Sequence, residues 1–331
     1  MIKPTAFLAA LLMSLGAPAS SQESSEHTLE VSGIKRHFVA YVPELYQAGG
    51  PAVVLLHGAG GSMHSILDPE SASLGLWTQL AQDQGVLLLV PNGLDRRGRN
   101  GGGRRQLWNH NVRGNDDPVH GDDDVEFLER VVQWARKNHG CDALRIHVCG
   151  TSNGGMMALR VLAERPGIFA SAVAFCATLP GTPITKPQQG TPLMMVNGTA
   201  DRLVPFEGLK AGRRRMRSVP DTVKFWVEAN VGDPARAVEE AMPDHDADDG
   251  CQAIKTTYPV RDSDRPAVVL VRIDGGGHTI PDNREVRHSR MSSRVRGARC
   301  RDFRGVELAW SFMQEVAPPN PESADPDEES H

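Results

Sequence analysis

Short apolar runs alternate along this chain with longer segments in which apolar residues recur at helical spacing. A strand covered on both faces is continuously apolar, whereas a helix at the edge of a core is apolar along one side only. The runs therefore predict buried strands near residues 52–57, 86–91, 144–149, 170–176, 192–197 and 267–273. The periodic segments predict helices near residues 73–84, 123–139, 153–165, 222–229 and 304–316.

This alternation predicts an α/β fold, a doubly wound and mostly parallel sheet with helices on both faces. Before the first parallel strand, residues 27–43 alternate between apolar and polar side chains, which predicts an antiparallel hairpin at the start of the sheet. In such sheets, active sites lie at the carboxyl ends of the strands. The loops that follow strands are therefore where candidate chemistry is expected.

The loop after the strand at 144–149 carries the most informative motif. It is Gly-Thr-Ser-Asn-Gly-Gly, from Gly150 to Gly155, and a helix is predicted directly after it. A strand, G-x-S-x-G and a helix form a nucleophile elbow, in which the serine hydroxyl of a tight turn is held clear of the sheet. A glycine-rich turn without chemistry is the alternative interpretation of Ser152.

An aspartate and a histidine follow in the order that this fold class uses. Asp201 comes just after the strand at 192–197, and His278 follows three glycines just after the strand at 267–273. Taken singly, Asp201 could be a turn residue and His278 a surface histidine. Their order and placement together favour a catalytic triad with Ser152.

The strand at 52–57 ends in another glycine-rich loop, His57 to Gly61. Backbone N–H groups of such a loop, with the N–H after the nucleophile, stabilise the oxyanion of a tetrahedral intermediate. The candidates are Ala59 or Gly60, together with Asn153. A phosphate-binding loop is disfavoured because the Lys-Ser/Thr pair of that motif is missing here.

Over about residues 28–316, the chain resembles secreted esterases of the poly(3-hydroxybutyrate) depolymerase-like group, which includes feruloyl and acetylxylan esterases. The motifs that carry the resemblance are His57–Gly61, Pro91–Gly93, Trp108–Asn109, Asp123–Val125, Gly150–Gly155, Asn197–Asp201 and Gly276–Thr279.

The resemblance implies an α/β-hydrolase catalytic domain that hydrolyses carboxylic esters without a cofactor or a metal. It implies that Ser152 is the nucleophile, Asp201 the acid and His278 the base. The substrate is then expected near His57, Trp108, Asn109 and Ile280. The chain departs from the group at Ile280, where many relatives have tryptophan, and in a longer acidic stretch at 232–250.

Trp108 lies in a long segment without periodicity, residues 93–121. Long loops in compact domains are often functional, and an aromatic ring over the active-site edge could stack on a sugar or an aromatic acyl group. The alternative is that this tryptophan anchors the loop to the core.

Length and composition fit a single large α/β domain. The chain has 331 residues and a net charge of −5, which gives no basic footprint for nucleic acid. The arginines at 213–215 are interpreted as a solvated helix face. The aspartates at 122–124 open a predicted helix, where carboxylates cap free N–H groups. The acidic run at 243–250 matches a calcium loop poorly, because Asp249 stands where the sharp turn needs glycine.

The first 19 residues combine an early lysine, a short apolar stretch and a small-residue cleavage pattern, as a secretory signal peptide does. We therefore expect an extracellular or periplasmic protein without a membrane anchor. Residues 317–331 are acidic and proline-rich, which predicts a disordered tail. Among the five cysteines, Cys251 and Cys300 lie in polar segments and are the best candidates for a disulfide.

These observations predict a secreted serine esterase acting on plant-wall esters of the feruloyl or acetylxylan type. No polymer-binding module is apparent, which favours soluble oligomers over insoluble polyester. The alternatives are a poly(3-hydroxybutyrate) depolymerase or oligomer hydrolase, a serine peptidase of the same fold, an acyltransferase, and a non-catalytic carbohydrate-binding protein.

Overall fold

The structure is a computed structural model, and it describes residues 23–68, 73–95, 106–110, 124–210, 215–284 and 294–318. The predicted signal peptide, nearly all of the predicted tail, and most of the segment at 93–121 lie outside the described residues. Within them, every predicted strand and helix of the α/β alternation is present, with bounds that differ by a few residues.

A single ten-stranded sheet forms the middle layer, in the order β1-β2-β4-β3-β5-β6-β7-β10-β9-β8. The six strands from β4 to β10 in this order pair in parallel, and antiparallel strands extend both edges. The strands are β1 (Glu23–Val31), β2 (Ile34–Val42), β3 (Ala52–Leu56), β4 (Leu87–Pro91), β5 (Ile146–Thr151), β6 (Ser171–Phe175), β7 (Leu193–Gly198), β8 (Val238–Ala241), β9 (Gln252–Pro259) and β10 (Pro266–Asp274).

Helices cover both faces of the sheet, so the central strands are buried on both sides as their continuous apolar runs predict. One face packs against α3, α4 and α5, and the other against α1, α2 and α6. The helices are α1 (Met63–Leu67), α2 (Leu76–Gln84), α3 (Asp124–His139), α4 (Asn153–Glu164), α5 (Val219–Ala229) and α6 (Gly305–Val316). The doubly wound sheet predicted from the sequence is confirmed.

The acidic stretch at 232–250 contains an edge strand that the pattern did not predict. Within it, β8 pairs antiparallel with β9, and every residue of β8 is exposed. Hydrophobic periodicity cannot identify a strand whose side chains all face solvent, because burial is what produces the pattern.

Strand register brings the three candidate catalytic loops to one edge of the sheet. Strands β5, β6, β7 and β10 are parallel neighbours in that order, so the loops after β5, β7 and β10 emerge on the same side. Ser152, Asp201 and His278 stand in those three loops. The fold therefore brings Ser152 and His278, which are 126 positions apart in the sequence, to the same edge of the sheet.

Candidate active site

Ser152 occupies a strained turn between β5 and α4. Its backbone has φ 55° and ψ −121°, a conformation that side-chain-bearing residues rarely adopt, and its N–H donates to Phe175 O at 2.8 Å. This is the geometry of a nucleophile elbow. No hydrogen bond joins Ser152 Oγ to another residue in the described part of the chain, and such bonds often tighten only when substrate binds.

Close backbone packing explains the glycines on each side of Ser152. A Cβ on Gly150 would lie 2.4 Å from Gly154 O, and a Cβ on Gly154 would lie 2.3 Å from Leu56 O at the end of β3. Neither distance is possible without moving main chain. The motif therefore reflects a crossing of three backbone segments, and the serine is fixed relative to β3 as well as to its own strand.

Asp201 and His278 form the second part of the site. Asp201 Oδ2 lies 2.7 Å from His278 Nδ1, and Asp201 Oδ1 accepts N–H groups from Leu203 at 2.8 Å and Val204 at 2.9 Å. Only 1% of the Asp201 side chain is exposed. The carboxylate is therefore immobilised on both oxygens, and it can hold the imidazole in one orientation with Nε2 available for chemistry.

A segment near the carboxyl terminus positions the histidine loop. The backbone N–H of His278 donates to Arg296 O at 2.5 Å, and that of Gly277 donates to Ala298 O at 2.9 Å. A Cβ on Gly277 would lie 2.0 Å from Arg296 O, so this approach needs glycine. The glycines before His278 therefore admit this second segment of main chain.

Cys176 packs behind the same loop, and no sequence motif marks this contact. Its backbone has φ 51°, and its thiol donates to Thr279 O at 3.3 Å. Its sulfur also lies within 4.8 Å of ligand atoms of Asp201 and His278. Burial raises the pKa of the thiol, so Cys176 is a neutral hydrogen-bond donor that supports the loop.

The loop after β3 contains the candidate oxyanion donors, and the structure distinguishes between them. Gly60 N–H donates to Gln106 O at 2.8 Å, so Gly60 is not available and that part of the prediction is wrong. Among the described residues none accepts the N–H of Ala59 or of Asn153. Asn153 begins α4, where an N–H has no partner within the helix. Ala59 and Asn153 remain the candidate pair.

The Asn153 side chain ties the elbow to the segment at 106–110. It accepts the backbone N–H of Trp108 at 2.7 Å and donates to Trp108 O at 2.9 Å. The Trp108 indole donates to His57 O at 3.0 Å and is 2% exposed. The prediction that Trp108 stacks on substrate is therefore wrong, because hydrogen bonds and burial turn the ring toward the core.

Asn109, predicted to lie near the substrate, does not line the cavity, and its backbone forms hydrogen bonds with Asp124 and Arg160. Its N–H donates to Asp124 Oδ2 at 2.7 Å, and its carbonyl accepts from Arg160 at 2.6 Å. Asp124, expected to be a simple helix cap, is 3% exposed and pairs at 2.5 Å with the buried Arg36 of β2. The buried ion pair of Arg36 and Asp124 thus anchors residues 106–110, which contact the loop of the candidate oxyanion donors.

His57 is neutral in this environment. Its Nε2 accepts the N–H of Gly93 at 3.1 Å, and its Nδ1 lies 2.8 Å from Gly58 O. An Nε2 that accepts leaves the ring proton on Nδ1, which then donates to that carbonyl. Burial lowers the pKa of His57 to about 4. His57 therefore shapes the oxyanion loop without carrying charge near neutral pH.

These loops enclose a cavity of about 490 Å³ at the carboxyl edge of the sheet. Ser152, His278, Ala59, His57 and Ile280 all line it, as the sequence predicts for residues near the substrate. Its remaining lining residues are Gly58, Gly60, Gly61, Ser65, Ile66, Leu74, Thr151, Leu203, Thr279, Arg296 and Arg299. The two arginines were missed because they lie in a polar, irregular segment far from any motif.

The predicted disulfide is wrong, because all five cysteines are free thiols. The Cys300 thiol donates to Asp302 Oδ2 at 3.3 Å, and the Cys251 thiol lies 3.8 Å from Asp249 O. Each sulfur thus has its own acceptor. Burial raises the pKa of Cys251 to about 12, so this group stays protonated.

No helix among the described residues is long and apolar enough to cross a membrane.

The family model of the prolyl oligopeptidase family matches residues 73–180. This is about a third of the chain, and it includes the elbow.

Curated relatives carry esterase names. A protein named as an esterase, NocK, from Nocardia uniformis subsp. tsuyamanensis is 30% identical over 250 residues, which cover 70% of this chain and 66% of the relative. Feruloyl esterase B from Thermothelomyces thermophilus is 25% identical over 50% of this chain and 52% of its own length. A bifunctional acetylxylan esterase/xylanase from Neocallimastix patriciarum is 22% identical over 56% of this chain and 24% of its own length. The chain thus spans between a quarter and about two thirds of these relatives.

Among solved structures, the acetyl xylan esterase from Aspergillus awamori superimposes with a TM-score of 0.52 at 15% identity. The match covers 82% of this chain and 98% of that structure. At this identity the likeness establishes the fold alone.

Proposed function

We propose that this chain, which has the α/β-hydrolase fold and relatives named as esterases, hydrolyses carboxylic esters through Ser152, His278 and Asp201. The observation that carries the proposal is the 2.7 Å contact between Asp201 and His278, beside a strained serine in the same cavity. That combination is what acyl-enzyme chemistry requires of a protein.

In the proposed reaction, His278 Nε2 takes the proton of Ser152 as the hydroxyl attacks the ester carbonyl. His278 then protonates the departing alcohol, and a water molecule repeats the sequence to release the acid. Asp201 holds the imidazole in the correct tautomer and stabilises the imidazolium that forms. The immobilised carboxylate described above supports this role.

The developing oxyanion is proposed to bind the N–H groups of Ala59 and Asn153. Both groups lack acceptors among the described residues, and preorganised donors of this kind supply a large part of the rate enhancement in acyl transfer. The hydrogen bonds of Gly60, Trp108 and His57 hold the loop so that these donors do not need to reorganise.

For the substrate, we propose an ester of the feruloyl or acetylxylan type, and a 3-hydroxybutyrate oligomer is the alternative. The names of the curated relatives support the first class. We also propose that residues 1–19 direct secretion, on the sequence pattern alone. Amino-terminal sequencing of protein recovered outside the cytoplasm would test it, and an intact Met1 would contradict it.

The test of the proposed chemistry is Ser152→Ala, assayed with 4-nitrophenyl acetate, methyl ferulate and a soluble 3-hydroxybutyrate oligomer. We expect kcat to fall by about 10³-fold or more for each hydrolysed ester while the melting temperature hardly changes. Ser65→Ala is a matched control, because Ser65 lies in the same cavity on α1.

Retention of most activity in Ser152→Ala would overturn the assignment of the nucleophile. The relative rates of the wild type on the three esters would select the acyl class. Hydrolysis of a peptide 4-nitroanilide, with none of the esters turned over, would favour the peptidase alternative.

A further inference from the structure

Two arginines give the candidate catalytic cavity a positive character. Arg296 and Arg299 both line it, and no aspartate or glutamate is among the described residues that do so. The other titratable lining groups are His278 and the neutral His57. A cavity suited only to neutral acetyl or feruloyl groups has no need of two guanidinium groups.

The arginines are held in a fixed relation to the catalytic histidine. Their segment is hydrogen-bonded to the histidine loop through Arg296 O and Ala298 O, and Cys300 O accepts the N–H of Asp282 at 3.1 Å. Thr279 Oγ1 donates to Ala298 O at 3.0 Å. The main chain that carries both arginines is therefore tied to the main chain of His278.

Neither arginine forms a salt bridge within the part of the chain that the structure describes. No described carboxylate forms a salt bridge with Arg296 or Arg299, although most other arginines that flank them in the chain or face the same loop do so. Asp282, the acid near Arg299, is already engaged by Arg284 at 2.9 Å. Arg299 is partly buried, whereas Arg296 is exposed at the rim of the cavity. A partly buried guanidinium without a salt bridge is less stable than one in water, and an anion that enters the cavity would stabilise Arg299.

The electrostatics of Arg299 agree with this. Burial lowers the pKa of Arg299, Asp282 partly offsets the effect, and the neighbouring charges of Arg296, Arg301 and Arg284 lower the pKa further. The charged form is thus less favourable here than in water. A bound anion would stabilise the charged guanidinium of Arg299 and so offset the effect of burial and of the neighbouring arginines.

We propose that the ester substrate carries a negative charge close to the scissile bond, such as a free carboxylate, and that Arg299 and Arg296 bind it. The inference rests on the proposed function and adds a substrate class to it. Guanidinium groups pair with carboxylates through two parallel N–H···O bonds, which orients a ligand as well as attracting it. Arg299 and Arg296 are therefore specificity-determining residues.

Two matched ester pairs test the proposal, one with the charge on each side of the scissile bond. The alcohol-side pair is 3-acetoxybenzoate and 3-acetoxybenzamide. The acyl-side pair is the mono-4-nitrophenyl ester of adipic acid and its terminal amide. For the wild type, we expect kcat/KM to be at least tenfold higher for the anionic member of at least one pair, and 0.5 M NaCl to reduce the preference.

The variants are Arg299→Gln and Arg296→Gln, with Arg299→Lys as the conservative replacement. We expect at least one Gln variant to reduce the anionic preference about tenfold, and Arg299→Lys to keep part of it. Arg301→Gln is the matched control, because Arg301 lies in the same segment, is 58% exposed and pairs with Asp246 outside the cavity. It should leave the preference unchanged. Thermal melts identify any variant that does not fold, in which case the other arginine variant decides.

Equal kcat/KM for the charged and neutral members of both pairs would overturn the proposal, as would a preference that persists in both Gln variants. The proposed ester hydrolysis is tested separately, by whether the neutral members are hydrolysed in a Ser152-dependent reaction. Hydrolysis of the neutral esters without anionic preference would leave the proposed function standing and remove only this inference.

Discussion

At the scale of single residues, Asn153 has two proposed functions, one for its backbone and one for its side chain. Its N–H is a candidate oxyanion donor, and its side chain forms two hydrogen bonds with the main chain of Trp108. Because Gln106 in the same short segment accepts the N–H of Gly60, the side chain of Asn153 also stabilises the opposite wall of the oxyanion site. One residue thus couples the elbow to the loop after β3.

Replacement of Asn153 by alanine tests this coupling. The change leaves the backbone N–H and carbonyl of Trp108 buried without partners, so the free energy of unfolding should fall by about 1–3 kcal/mol. The kcat should also fall, because the oxyanion loop loses its support. Urea unfolding and esterase kinetics measure both. Asn138→Ala, on the exposed side of α3, is the control; a variant with lower stability and wild-type kcat would show that the contact is only structural.

The strained turn at Ser152 is predictable from the sequence, whereas the direction of the Trp108 ring is not, for a physical reason. The elbow depends on glycines at set spacing, a local requirement that the chain displays directly. The direction of an indole ring depends on which acceptor lies nearby, and His57 O is 51 positions away in the sequence. The choice of Ala59 over Gly60 depends in the same way on Gln106.

At the scale of elements, the crossing of the elbow over β3 fixes the distance between the nucleophile and the oxyanion loop. Gly154, in the first turn of α4, lies so close to the end of β3 that a methyl group would meet Leu56 O at 2.3 Å and His57 O at 2.5 Å. The helix and strand therefore approach through backbone alone. This packing brings the two candidate donors toward the same point.

The expected result for Gly154→Ala is loss of the native fold or destabilisation by more than about 4 kcal/mol, because main chain must move to admit the methyl group. Gly58→Ala is a suitable comparison for stability, since its Cβ would meet its nearest neighbour, Thr151 O, at 3.5 Å. Circular dichroism melts of both variants measure the difference. Equal melting temperatures would show that the elbow tolerates a wider separation of α4 and β3.

At the scale of the whole molecule, two buried histidines make the fold sensitive to acid. Burial lowers the pKa of His57 to about 4 and that of His147 to about 3. The unfolded chain binds protons at these groups below about pH 6.5, whereas the folded chain does not until much lower pH. The stability that they contribute is therefore present above pH 6.5 and is lost as the pH falls toward 4.

For His147, which lies 2.8 Å from Ser171 Oγ between two strands, the loss should be about 1 kcal/mol per pH unit between pH 6 and 4. His147→Gln should make the pH dependence of the urea midpoint shallower over this range, whatever its effect at pH 7. His64→Gln, with a side chain 58% exposed, should leave the slope unchanged. An unaltered slope in His147→Gln would show that this histidine does not resist protonation in the fold.

The sequence by itself determined the layered α/β fold, the order of its central elements and the three loops that carry the candidate triad. These follow from burial patterns and from glycines that local backbone geometry demands. Only the tertiary structure decided which N–H groups stay unpaired, that Trp108 faces the core, that Cys251 and Cys300 remain thiols, and that Arg296 and Arg299 line the cavity. Each of these depends on contacts between segments far apart in the chain, and hydrophobic periodicity does not predict such contacts.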